Sequence, residues 1–299
     1  MIDVPAGLAW WRSQPGGAAW LAALPRLVEA ALDRWSLRLG AVFEAPQMIA
    51  FVAAVQVEAT ATPAVLKINM PHPESEHEAA ALAHWEGRGA VQLLASEPRE
   101  HALLLERCLP GTPLWEVDDD VAATRIAAAA LRRVWRPPPD VHAFASLESE
   151  ARRWGDELLR AYERLGRPFE RSLLDTALAA LRELAADQAD LVVVHQDLHG
   201  GNVLRAEREP WLIIDPKPLV GERAFDVASL LRDRRNMLLR PGGASLMYRR
   251  FDILVDELGL DRERMRLWGI AHALAWGVED GGEQFDLEHV HVARLLADA

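Results

Sequence analysis

The sequence predicts an α+β protein of two lobes, a smaller β-rich lobe followed by a larger, mainly helical one. Three observations carry this reading. Between Ala41 and Met70, and again between Ala90 and Leu109, apolar and β-branched residues recur at the period of strands. From Pro113 to about Ala189 the spacing changes to that of amphipathic helices. Within the helical half, two short apolar runs, LVVV and WLII, lead into the acids Asp197 and Asp215. The lobes are expected to span residues 1–109 and 110–299.

The first 40 residues read as helix, with Trp20, Leu24, Leu27, Val28, Ala31 and Trp35 near a helical period and Gly40 as the stop. Three antiparallel strands follow, near 41–44, 48–57 and 63–70. The third, PAVLKINM, carries Lys67 inside an apolar run, where an outward-facing surface lysine is the ordinary expectation. A helix rich in glutamates comes next, opened at Pro73 and stopped near Gly87–Gly89, and of its glutamates Glu78 falls deepest, beside Ala79, Leu82 and Trp85. A lysine on a third strand followed by such a helix is the arrangement that pairs nucleotide phosphates with a helix carboxylate. Two more short strands, joined by a polar turn at Ser96–Glu100, lead to LLLERCLPG, where the backbone of Glu106, Cys108 and Leu109 is expected to meet a nucleotide base. Helices then run through VAATRIAAAALRRVWR, SLESEARRWGDELLRAYERLG and LLDTALAALRELAADQ. Beyond Asp215 a helix starts over Phe225–Leu231, and two further helices lie near 245–258 and 262–277.

Composition sets limits. A formal charge of −12 argues against nucleic acid as the main partner, because phosphate backbones need a basic face. Acidity suits a cationic ligand or plain solubility. The single cysteine, Cys108, permits neither an intrachain disulfide nor a cysteine-based zinc site. No apolar run has the length of a transmembrane helix, and the N-terminus lacks the pattern of a secretory signal, so a cytoplasmic enzyme is expected, as a monomer or weak dimer.

The chemistry concentrates in LVVVHQDLHGGNVLRAEREPWLIID, residues 191–215. Asp197 and Asn202 have the D-x-x-x-x-N spacing of a kinase catalytic loop, and Asp215 stands where a kinase carries its metal-binding aspartate. One carboxylate to orient a hydroxyl, with an amide and a second carboxylate to hold Mg2+ on ATP, is what phosphoryl transfer needs. A metal hydrolase built on His195, Asp197, His199 and Asp215 is the chemically distinct rival, and it leaves Lys67 and Asn202 without a role.

VVHQDLHGGNVL and WLIIDPKPLVGERAFDVASLLRDR, together with TPAVLKI, EHEAAALAHWEGRGAVQLL and ALLLERCLPGTPL, resemble the aminoglycoside and hydroxyurea phosphotransferases of the protein-kinase-like superfamily, most closely the streptomycin branch. The resemblance covers about residues 60–235. It implies a two-lobed kinase fold with Asp197 as catalytic aspartate, Asn202 and Asp215 on magnesium, Lys67 on the nucleotide phosphates and Glu78 as its helix partner. His195 would stabilise the loop from its backbone side. Lys217, in the DPKP characteristic of this branch, has two open roles, a contact with phosphate or with a neighbouring carboxylate. Two departures stand out: Gln196 replaces the usual glycine between His and Asp, and the first hairpin, FEAPQM, lacks a glycine-rich phosphate cover, with Gly40 before its first strand.

The expected activity is ATP- and Mg2+-dependent phosphorylation of a hydroxyl on a small cationic molecule such as streptomycin or a related aminoglycoside. Glu279, Asp280, Glu283 and Asp286, near the end of the chain, are the candidates for an acidic substrate pocket. The alternatives are a metabolic small-molecule kinase and a weakly active nucleotide-binding protein.

Overall fold

In the computed structural model, which describes residues 3–46, 48–278 and 283–299, the chain divides into two units, Met1–Gly111 and Thr112–Ala299.

The first unit is built on the alternating stretches. Helix α1 (Gly17–Trp35) precedes strands β1 (Leu37–Val42), β2 (Ala50–Val57) and β3 (Thr62–Asn69), which are followed by helix α2 (Glu78–Trp85) and strands β4 (Leu93–Glu97) and β5 (Ala102–Glu106). The strands form one antiparallel sheet in the order β1-β2-β3-β5-β4. β3 is central, paired with both β2 and β5, and from Leu66 to Asn69 every residue is buried. Leu24, Val28 and Ala31 of α1 share a core with Phe51, Leu66 and Ile68 of the sheet.

The N-terminal reading needs correction. Instead of a helix to Gly40 there is a 3-10 turn at Ala6–Ser13, then α1, which ends as Ser36 adopts φ 48°. Leu37 and Leu39 already pair with Val57 and Val55, so Gly40 lies inside β1 and not before the first strand. Leu37-Arg38-Leu39 continues an amphipathic helix on paper, but its alternation also suits a strand, and sheet pairing decides. The 3-10 turn braces the loop of the first hairpin: Trp10 and Trp11 both donate their indole N–H to the Met48 carbonyl, at 2.9 and 3.2 Å.

In the second unit, α3 (Asp120–Val134), a two-residue strand β6 (Ala145–Ser146), α4 (Leu147–Arg164) and α5 (Arg171–Ala186) come first. Asp119 caps α3 and Ser146 caps α4 through their side chains, which supplies acceptors for otherwise unpaired first-turn N–H groups. Short strands β7 (Val192–Val194), β8 (Val203–Arg205), β9 (Trp211–Ile213) and β10 (Leu219–Gly221) follow. Where one helix start is expected over Phe225–Leu231 there are two single turns, α6 (Arg223–Asp226) and α7 (Ala228–Leu231), and a third, α8 (Arg235–Leu238). The longer helices α9 (Gly243–Leu258), α10 (Arg262–Ala275) and α11 (Leu287–Ala297) complete the unit. Among the described residues no helix is long and apolar enough to cross a membrane.

Candidate active site

Two small β units present the catalytic segment. β10 pairs antiparallel with β7 and parallel with β6, holding the strand that delivers His195. β8 and β9 form a separate ribbon, with Val203 opposite Ile213 and the Ile214 N–H donating to the Asn202 carbonyl at 3.0 Å. Asn202 and Asp215 therefore sit at the same end of that ribbon.

The turn between β7 and β8 is pinned from below. His195 is fully buried, and burial pushes its pKa down, so the ring is neutral. Its partners assign the tautomer: Nε2 donates to the Ile214 carbonyl at 2.9 Å, and Nδ1 accepts from the Asp197 N–H at 3.3 Å. Asp226, also fully buried, accepts from the backbone N–H groups of His195 (3.0 Å) and Gln196 (2.7 Å) and from Trp135 Nε1 (2.8 Å). Burial pushes the Asp226 carboxyl up, against the nearby His195 ring and these donors. Gln196 takes φ 71°, which explains why glycine is the usual residue there. A non-glycine residue in that region costs about 1–2 kcal/mol, and the hydrogen bond to Asp226 helps hold it.

Above this base stands Asp197, whose side chain is 13% exposed. Lys217 Nζ donates to Oδ2 at 2.8 Å and Arg232 Nη2 donates to Oδ1 at 3.1 Å. Burial alone would raise the Asp197 pKa, but the charges of Lys217, Arg232 and then His199 hold the carboxyl far below the usual range. Asp197 is thus an anion, oriented through both oxygens. Of the two roles left open for Lys217, the contact with a neighbouring carboxylate is present in the structure.

Asn202 has the orientation a metal ligand needs. Its Nδ2 donates to the Asp197 carbonyl at 3.0 Å, which fixes the amide and assigns Oδ1 as the oxygen available to a cation. An amide oxygen and the Asp215 carboxylate are hard donors suited to magnesium, which takes few protein ligands and fills its shell with phosphate and water. Among the described residues there is no group of three or more His, Cys, Asp or Glu side chains fit to hold a metal on its own. The hydrolase set fails on geometry, since both ring nitrogens of His195 are committed within the loop and His199 Nδ1 accepts from the Gly201 N–H at 3.1 Å.

In the first unit, Lys67 turns inward instead of standing on the surface. Its Nζ lies 2.8 Å from both carboxylate oxygens of Glu78, and Asn69 Nδ2 donates to Oε2 at 2.8 Å. Lys67 and Glu78 are 6% and 1% exposed, so this is a buried ion pair between β3 and the first turn of α2. Glu106 is tied to the sheet, its N–H donating to the Gln92 carbonyl and its Oε2 accepting from the Gln92 N–H, both at 2.9 Å. Cys108 is buried, and Leu109 follows it towards Gly111 at φ 77°.

Of the four C-terminal acids, two are described. Glu279 and Asp280 lie outside the described residues. Glu283 is exposed. Asp286 caps α11 by accepting from the Glu288 N–H, and its carboxylate faces Arg235 Nη1 at 3.4 Å and His289 Nε2 at 3.6 Å. Arg235 also reaches Glu288, at 3.7 Å. Asp286 thus has a cationic partner within the chain.

Several site residues escape sequence reasoning. In the run Arg232-Asp233-Arg234-Arg235 each residue fastens a different element. Arg232 holds Asp197, Asp233 accepts from the Gly200 N–H and from Trp115 Nε1, Arg234 caps the carbonyls of Leu114 and Val117, and Arg235 meets Asp286. Trp115 stacks on His199 with ring centroids 4.9 Å apart. A Cβ at Gly200 would lie 2.5 Å from the Trp115 ring, so glycine is required there. The available signal was an acid, Asp226, inside an apolar stretch, followed by an unbroken run of charges.

This architecture, an antiparallel sheet with one inward lysine pair and a helical unit carrying a D-x-x-x-x-N loop, is that of the protein-kinase-like small-molecule kinases. A solved aminoglycoside phosphotransferase, in a ternary complex with ADP and hygromycin B, matches it with a TM-score of 0.62 at 13% identity, over 91% of this chain and 98% of the other. Residues 46–282 match the family model for aminoglycoside/hydroxyurea antibiotic resistance kinases, and the chain belongs to that family. It is 37% identical to a streptomycin 6-kinase of Streptomyces glaucescens, across 99% of this chain and 97% of the relative. It is also 37% identical to a hydroxyurea phosphotransferase of Kitasatospora aureofaciens, across 99% and 86%.

Proposed function

We propose that the chain is a cytoplasmic, ATP- and Mg2+-dependent kinase that phosphorylates a hydroxyl of streptomycin or a related aminoglycoside. The observation that carries this is Asp197, held anionic and oriented through both oxygens, on a loop whose Asn202 presents an amide oxygen beside Asp215. Near-complete alignment with a streptomycin 6-kinase supports the substrate class.

In this reading Asp197 accepts the hydrogen bond of the acceptor hydroxyl and aims its oxygen. Phosphoryl transfer passes through a loose transition state, so position and charge matter more than the strength of a base. Asn202 and Asp215 would hold magnesium, which neutralises charge on the phosphates when bound. Lys67, kept straight by Glu78, contacts nucleotide phosphate. The backbone of Glu106, Cys108 and Leu109 would meet the nucleotide base, with the Glu106 N–H itself taken by the Gln92 carbonyl. His195 and Asp226 do no chemistry; they fix the loop.

A second reading, a small uncharged acceptor of the hydroxyurea class, is favoured by one feature. Arg235 faces Asp286, and two further cations flank Asp197, so both acids already have cationic partners within the chain. Coupled ATP-consumption assays with streptomycin, other aminoglycosides and hydroxyurea separate the two. Turnover with streptomycin at least tenfold above hydroxyurea, on the order of 1.4 kcal/mol in transition-state binding, supports the first reading. The reverse preference establishes the second, and no turnover with any acceptor refutes both.

A further inference from the structure

Lys217 reaches the first of the two acids that end the strands of the catalytic segment and lies two residues past the second. Its Nζ is 2.8 Å from Asp197 Oδ2, and it follows Asp215 by one intervening residue, Pro216. If Asp197 takes the acceptor hydroxyl and Asp215 the metal on the donor phosphates, the phosphoryl group crosses the space between them. An ammonium fastened to one acid and tethered to the other stands beside that path.

The mounting of this side chain is rigid. Pro216 and Pro218 flank Lys217, and a residue preceding proline is held out of the helical region. Its own N–H donates to the His195 carbonyl at 3.1 Å, tying its backbone to the loop that carries Asp197. Asp197 also has a second cation: Arg232 donates to the other carboxylate oxygen at 3.1 Å. His272, beside Arg232, is kept neutral by burial and by that arginine, so it adds no competing charge. If Lys217 turned to another partner, Asp197 would keep its orientation through Arg232.

We propose that Lys217 is a catalytic residue whose ammonium meets the equatorial oxygens of the transferring phosphoryl group, and that Arg232 is the positioning residue that holds Asp197 meanwhile. This rests on the kinase reading above. As the acceptor oxygen forms its bond to the γ-phosphorus, the bond from phosphorus to the bridging oxygen breaks and its electron pair leaves with ADP. The acceptor proton passes to Asp197 and on to solvent, and Lys217 remains protonated. A positive charge carried on a rigid backbone, placed where negative charge is redistributed, lowers the barrier. It also gives the DPKP segment a chemical role: the prolines hold the lysine in place.

The test compares wild type, Lys217→Met and Lys217→Arg as full chains. Steady-state transfer is measured together with calorimetric binding of magnesium-ADP, with and without tetrafluoroaluminate as a mimic of the transferring phosphoryl group. Lys217→Met is expected to lose about 10²–10³-fold in kcat and a comparable share of the extra affinity conferred by tetrafluoroaluminate. Affinity for magnesium-ADP alone and KM for the acceptor stay within about threefold, and the melting temperature is unchanged. Lys217→Arg recovers part of both losses. An unaltered kcat in Lys217→Met, or a loss of plain ADP affinity as large as the loss of tetrafluoroaluminate affinity, overturns the role of Lys217 and leaves the kinase reading intact. A wild-type protein that binds no nucleotide and turns over no acceptor overturns both.

Discussion

Two carboxylates in this molecule meet lysines at the same 2.8 Å, and they are built differently. Glu78 is 1% exposed, grips Lys67 with both oxygens and takes a further hydrogen bond from Asn69, so the pair is closed. Asp197 gives one oxygen to Lys217 and the other to Arg232, and all three side chains keep between 13% and 18% of their surface open. The closed pair fixes a lysine in place. The open triad orients a carboxylate while leaving room for a reactant. The same contact is thus closed in one unit and partly open in the other, and the burial of the partners distinguishes them.

The largest expected effect breaks the closed pair. Glu78→Ala strands the Lys67 ammonium in the sheet and is expected to lower the unfolding free energy by about 3–5 kcal/mol in denaturant titration. Asp197→Ala is expected to lower it by less than about half of that, because water reaches the cations left behind. Equal losses at the two positions would dissolve the distinction between closed pair and open triad.

A smaller effect is set by pH. His289, near Arg232 and Arg235, has its pKa pushed down to about 4 by burial and then by those arginines, and burial likewise holds His272 well below its ordinary value. A histidine that is neutral in the fold but titrates near 6.5 when unfolded makes the unfolded state bind more protons in that window. Stability therefore falls as pH drops from about 6.5 to about 4, by at most about 3 kcal/mol for His289. Hydrogen exchange at pH 7 and pH 5 checks this. Amides of α10 and α11 should lose protection at pH 5 before those of β3 and α2, and uniform loss in both units would argue against it.

What could be read from the sequence follows the same division. Lys67, Glu78, Asp197, Asn202 and Asp215 were visible because short spacings encode them: a charge inside an apolar strand, the deepest acid of an amphipathic helix, five residues from acid to amide. The neighbours that tune them were not. Arg232 meets Asp197 across a separation of 35 residues and Asp226 meets His195 across 31, and no local period records such contacts. The partner of Asp286 is equally remote in sequence: Arg235, 51 residues earlier, meets its carboxylate at 3.4 Å. The N-terminal helix was extended too far because Leu37 and Leu39 fit a helix and a strand equally, and only pairing with β2 separates the two.

Whether Asp197 orients an acceptor for transfer or only takes part in the loop's ion pairing is decided by Asp197→Asn. The variant keeps the size of the side chain and removes the charge. Phosphoryl transfer to streptomycin or hydroxyurea, whichever the wild type uses, is followed by phosphorus-31 NMR, with magnesium-ADP affinity measured on the same samples. Asp197→Asn is expected to lose about 10²–10⁴-fold in transfer rate, with nucleotide affinity essentially kept. Transfer at the wild-type rate by a folded, nucleotide-binding Asp197→Asn protein would contradict an orienting role for Asp197.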